Sequence, residues 1–167
     1  MKRVFLGLSL ALLSGSIFAA SSNPSIPPIS EKQWVNKIQI DQLTDEKEVF
    51  GGIVQSGQSR IVKMFCSKQK TPVVVLELLG GAYNDKQMRF YSARARVDKN
   101  TPFTVSLLPS QHRDTHWLEI NEELIESFKG GSGVAIETVG ADETKIIRFN
   151  LKNFTVAYSN VYENCYL

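Results

Sequence analysis

Apolar side chains recur at every second position through most of this chain, a spacing that only extended strands with one buried face can satisfy. The pattern runs through 48–55, 60–66, 72–79, 86–98, 103–108, 133–139 and 145–151, stretches rich in Val, Ile, Phe and Tyr. Turn-forming clusters separate them: Ser56-Gly57-Gln58, Gly80-Gly81 with Asn84-Asp85, Lys99-Asn100 and Gly140-Ala141-Asp142. Between such strands there is no room for crossover helices, so the connections should be antiparallel. The expected fold is mainly β, an antiparallel β-sandwich or small barrel of seven to eight strands. Trp34 opens a further alternating stretch through Ile38 and Ile40, and the Gly51-Gly52 pair predicts a bulge or sharp bend.

Two segments change period. Asn121 is placed to cap a short helix whose apolar face is Leu124, Ile125 and Phe128, with Glu122 and Glu123 near its positive end and Gly130 past its last turn. Phe154, Ala157, Tyr158, Val161 and Tyr162 repeat at helical spacing and predict a C-terminal helix ending at Cys165.

The first twenty residues read as an export leader. Lys2 and Arg3 precede an apolar run from Val4 to Leu13, and small residues lead to a cleavage point after Ala19 or Ala20. That run is shorter than the roughly 18 apolar residues a spanning helix needs, and no later segment approaches it, so stable membrane insertion is not expected. Residues 21–33 are Ser, Asn and Pro rich and read as a flexible arm, leaving 34–167 as one β-rich domain. The whole chain has 19 basic and 17 acidic side chains, and loss of Lys2 and Arg3 makes the two numbers equal. A near-neutral mature chain has no field to draw it onto nucleic acid. The periplasm is the expected location, with secretion as the alternative.

Cys66 and Cys165 are the two cysteines. In an oxidising compartment a pair so far apart is expected to form a disulfide bond. Closing a loop of about a hundred residues stabilises a fold by about 4 to 5 kcal/mol in the chain-entropy account. A redox role lacks its usual Cys-x-x-Cys spacing, and Cys66 ends a strand-like run. The bridge should pin the last helix onto the sheet.

Few side chains suggest chemistry. His112 and His116 flank Asp114 at metal-ligand spacing, but no Cys or third His completes a shell, so an exposed loop beside Trp117 is the plainer reading and no metal is expected. Gly130-Gly131-Ser132-Gly133 is not the Gly-x-Ser-x-Gly of a nucleophile elbow, and Glu122 with Glu123 are helix-start residues. No Gly-rich phosphate loop follows a strand, and no cofactor is implied. The chain is therefore not expected to be an enzyme. The sharpest polar feature is the run 91–98, where a strand places Arg94, Arg96 and Asp98 on one face and Tyr91, Ala93, Ala95 and Val97 on the other. This face is the candidate binding surface: a guanidinium pair for a carboxylate, a phosphate or a partner's acidic loop. Its competing reading is a solvated face with Arg96 and Asp98 paired to neighbours.

Trp34, Ile40-Asp41, Leu43-Thr44-Asp45 and Val49 then fall in an order that resembles the opening of the VasI-like accessory proteins associated with type VI secretion. Met64-Phe65-Cys66, Arg96-Val97-Asp98 with Pro102, Trp117, the helix of Leu124, Ile125 and Phe128, the run 147–151 with Phe154 and Ala157, and Cys165 continue the similarity. It spans most of the chain after Trp34 and implies an exported, non-catalytic β-sandwich that binds other envelope proteins. The functional expectation is a periplasmic interaction or accessory protein, attached to a secretion or transfer machine. The alternative is an inhibitor or immunity protein of a cell-wall hydrolase.

Overall fold

The structure, a computed structural model, describes residues 27–58, 60–67, 73–79, 91–109, 115–139 and 144–166. The leader, His112, Asp114 and the turns around Gly80-Gly81, Asn84-Asp85 and Gly140-Asp142 lie outside the described residues.

Nine strands form one antiparallel sheet: β1 (Val35–Ile40), β2 (Lys47–Val54), β3 (Ile61–Ser67), β4 (Val73–Leu79), β5 (Tyr91–Val97), β6 (Phe103–Pro109), β7 (Thr115–Glu119), β8 (Gly133–Val139) and β9 (Thr144–Asn150). Helix α1 (Glu122–Gly130) joins β7 to β8, and α2 (Phe154–Cys165) ends the chain. The order β1-β2-β3-β4-β7-β6-β5-β8-β9 departs from sequence order in its middle, where β7 inserts beside β4. The mainly β, antiparallel expectation is met. The strand count is higher than seven or eight because β1 and β7 are both true strands.

β7 corrects the reading of His116 as part of an exposed loop. His116 pairs with Leu78 of β4 on one side and Pro109 of β6 on the other, and it is buried. The polar run before Thr115 concealed a five-residue central strand whose burial comes from neighbours that are remote in sequence.

The sheet is open, neither a closed barrel nor a two-sheet sandwich, but hydrogen bonds tie residues flanking β1 and β2 to β9 and the turn after it. The Trp34 N–H donates to Lys152 O at 2.9 Å, Ser56 N–H to Arg148 O at 2.8 Å, and the Trp34 indole N–H to Asn150 O at 2.9 Å. Ahead of β1, Ser30 O accepts from Val54 N–H at 3.0 Å and Glu31 O accepts from the Asn150 side chain. Rings fill one end of the enclosed core. Trp34 stands edge-on to Phe149 and Phe154, and Phe128 of α1 stands edge-on to the same two rings, with centroids 5.3 to 6.3 Å apart. Such pairs add about 0.5 to 1.5 kcal/mol each beyond the burial of their area.

The Asn121 side chain accepts from Leu124 N–H at 2.9 Å, so α1 begins where its cap predicts, and its buried face is Leu124, Ile125 and Phe128. Helix α2 buries Phe154, Ala157, Val161 and Cys165 against β1 to β4, while Tyr158 and Tyr162 stack along its flank. Cys165 lies at disulfide-bonding distance from Cys66 near the end of β3. The expected bridge is therefore present, and it ties the last turn of α2 to the sheet.

Gly51 and Gly52 do not form a bulge. Their register is one-to-one with Asn36 and Val35 on β1 and with Met64 and Lys63 on β3. Gly51 serves close packing instead: a Cβ there would lie 2.9 Å from Met64 Cε and 3.5 Å from both Ala157 Cβ and Trp34. A missing side chain at that point lets α2 settle against the sheet.

Candidate binding face

Alternation along β5 buries Ala93, Ala95 and Val97 and leaves Ser92, Arg94 and Arg96 exposed, which puts the predicted arginines on the outer surface. The register then brings in residues that are distant in sequence. Arg94 lies opposite Glu137 of β8, which lies opposite Ile146 of β9; Arg96 lies opposite Ala135, which lies opposite Arg148. Two parallel rows thus cross the face, one holding an arginine, a glutamate and an isoleucine, the other an alanine between two arginines.

The three residues singled out from sequence prove to have different tasks. Arg94 Nε donates to Glu137 Oε2 at 2.6 Å, and a terminal guanidinium nitrogen contacts the same oxygen. Arg94 remains 70% exposed, so solvent screens much of this pair and its contribution to stability is small. Asp98 follows β5 with a left-handed φ of 52°, which aspartate tolerates better than most residues. Its carboxylate accepts from Ser132 N–H at 3.0 and 3.2 Å and from Gly133 N–H at 2.9 Å, and its own N–H donates to Gly133 O at 2.9 Å. Asp98 therefore fastens the α1–β8 junction to the end of β5. Gly131 belongs to the same junction, because a Cβ there would run into Val97.

Arg96 is the odd member. Among the described residues its guanidinium has neither a hydrogen bond nor an ion pair, and the same is true of Arg148. Of the two pairings to neighbours expected on a solvated face, Asp98 has its own in the amides of Ser132 and Gly133, and Arg96 has none among the described residues. Arg96 and Arg148 flank a shallow concavity of about 330 Å³, with Ser56, Asp98, Gly133, Ala135 and Asn150 in its lining. On the other side of the same row is a second hollow of about 220 Å³, walled by Pro102, Ile146, Arg94 and Glu137. Ala135 lines both hollows.

Sequence reasoning found Arg96 but missed Arg148 and Ser56. Alternation in 145–151 does turn Arg148 outward. Nothing local says that β9 lies two strands from β5, or that the turn after β2 reaches β9 through Ser56. His116 is buried away from this face, and among the described residues no three His, Cys, Asp or Glu converge. No helix among the described residues is long and apolar enough to cross a membrane.

No protein-family model matches the chain, and no curated protein matches it in sequence. Among solved structures, the crystal structure of invasion associated protein B from Bartonella henselae is similar, with a TM-score of 0.52 at 13% identity, covering 78% of this chain and 90% of that one. At such identity the likeness is one of fold, and it transfers no site residue.

Proposed function

We propose that this chain is an exported, non-catalytic binding domain that acts at the cell envelope through the outer face of β5, β8 and β9. The observation that carries the reading is the pair Arg96 and Arg148, two exposed guanidiniums without an acidic partner among the described residues, on a disulfide-tied sheet. Unpaired like charges in one row do nothing for folding, whereas a preorganised surface lowers the ordering cost of binding. Export is supported by the leader-like residues before Ser21 and by the cysteine pair, which persists best in an oxidising compartment. Service to a secretion machine rests on the resemblance to the VasI-like proteins, and the structural neighbour, itself named for invasion, is compatible with an envelope role.

The test is affinity capture from periplasmic extract with the mature protein and with Arg96→Glu/Arg148→Glu. The reading expects an envelope protein to be retained by the first and lost by the second, at unchanged melting temperature. Equal retention by both would remove this face from the function.

A further inference from the structure

We propose that the hollow between Arg96 and Arg148 is a binding site for a phosphate group carried by a small soluble molecule. The inference deepens the proposed function by naming a ligand for its face, and it rests on that face being the working one.

Arg96, Ala135 and Arg148 occupy one row across three adjacent strands. Two strand spacings of about 4.8 Å separate the arginine backbones by about 10 Å, a span that two arginine side chains close from opposite sides. The groups between them are small: Ala135 in the row and Gly133 two residues before it on β8. A space of about 330 Å³ lies at the lower end of small-molecule sites and is large enough for a phosphomonoester.

Donor count selects the anion. Each guanidinium presents a planar fork of N–H groups, and one fork satisfies both oxygens of a carboxylate. Two forks, neither with a partner among the described residues, would use every lone pair of one carboxylate and leave an excess of positive charge over its single negative one. A phosphomonoester offers three terminal oxygens and a charge of about −1.5 to −2 at neutral pH, which matches two forks in number and in sign.

The surroundings support the choice. Asp98 lines the same hollow, but its oxygens face the amides of Ser132 and Gly133, so its charge is partly spent on the backbone. Glu31 lies beyond the Ser56 end and accepts from Gly57 N–H at 3.1 Å. Glu137 is held by Arg94 in the neighbouring row. No carboxylate among these is paired with Arg96 or Arg148. The second hollow, with Pro102 and Ile146 in its wall, adjoins the same row and offers a place for the organic part of the ester.

The experiment is calorimetric titration of the mature protein, at fixed ionic strength, with inorganic phosphate and with glycerol 1-phosphate. Sedimentation with phosphatidylcholine vesicles, with and without phosphatidic acid, runs in parallel. Saturable binding of the soluble probes is expected, weakened at least tenfold in Arg96→Ala and in Arg148→Ala and unchanged in Lys47→Ala. Arg96→Lys should also weaken it, because a lysine keeps the charge and loses the fork. Melting curves of each variant check that the fold is intact. Binding that is unsaturable, or is lost equally in Lys47→Ala, would overturn the site, and so would capture by phosphatidic acid vesicles with none of the soluble probes. If no probe binds while Arg96→Glu/Arg148→Glu still abolishes protein capture, the phosphate assignment fails and the binding face stands. If the probes bind and capture is unaffected, the site stands and the proposed protein-binding role of the face fails.

Discussion

Cys66, one residue before the end of β3, and Cys165, the last residue of α2, have Cα atoms 5.3 Å apart across 99 positions of sequence. The chain between them contains six strands and α1, so a bond at this point restricts nearly everything that must find its place on folding.

Reducing the protein, or replacing both cysteines by serine, should therefore lower stability by up to about 4 to 5 kcal/mol, and less where the reduced chain keeps residual structure. Helix α2 should also lose amide protection before the sheet does, because its last turn is no longer fastened. Thermal melts with and without reductant, with hydrogen exchange read along α2, test both parts; an indifferent melt would contradict the account.

Gly51 sets how near α2 lies to β2. Gly51→Ala asks only the flexible end of Met64 to move and should be mild, whereas Gly51→Val also presses on Ala157 and Trp34 and should cost about 1 to 3 kcal/mol. Chemical denaturation of the two variants should show a clear difference; equal midpoints would mean that the helix does not depend on this approach.

Asp98 and Arg96 neighbour one another on the candidate face but should behave oppositely. Asp98→Ala removes the acceptor for two amides and should cost about 1 kcal/mol, the size of losing a helix cap. Arg96→Ala removes a cation with no partner among the described residues and should leave the melting temperature unchanged or slightly raised. A fall in stability for Arg96→Ala comparable to that of Asp98→Ala would mark the arginine as structural.

Tyr158 should make the fold sensitive to alkali. Burial raises its phenol above the ordinary value of 10.0, and the neighbouring phenols of Tyr162 and Tyr166 add to the rise, while Lys129 lies 6.0 Å from its ring. Since the folded-state value lies above the unfolded one, the fold favours the protonated ring. Its contribution is intact below the unfolded value and is lost as pH rises through the higher folded one. Melting temperature should thus fall more steeply above pH 10 in the parent than in Tyr158→Phe; parallel curves would rule this ring out.

Local rules account for much of what was legible. Alternation located most strands because burying one face of an extended chain needs no knowledge of its neighbours. The Asn121 cap and the spacing from Phe154 located both helices for the same reason. Where local signals ran out, expectation fell short: β7 is short and follows a polar run, and Gly51-Gly52, expected as a bulge or a sharp bend, keeps one-to-one register and packs against α2.

The sequence by itself determined that this chain would be an antiparallel β protein with two helices and a long-range cysteine pair, since periodicity, caps and cysteine number are properties of the chain alone. Only the tertiary structure decided which strands lie side by side. By setting β8 between β5 and β9 it brought Arg148 opposite Arg96 across Ala135, and by aiming Asp98 at the amides of Ser132 and Gly133 it left both guanidiniums without a carboxylate among the described residues. Strand order and register join residues far apart in sequence, and the energy that selects them comes from the whole core, so no local pattern could have recorded the site.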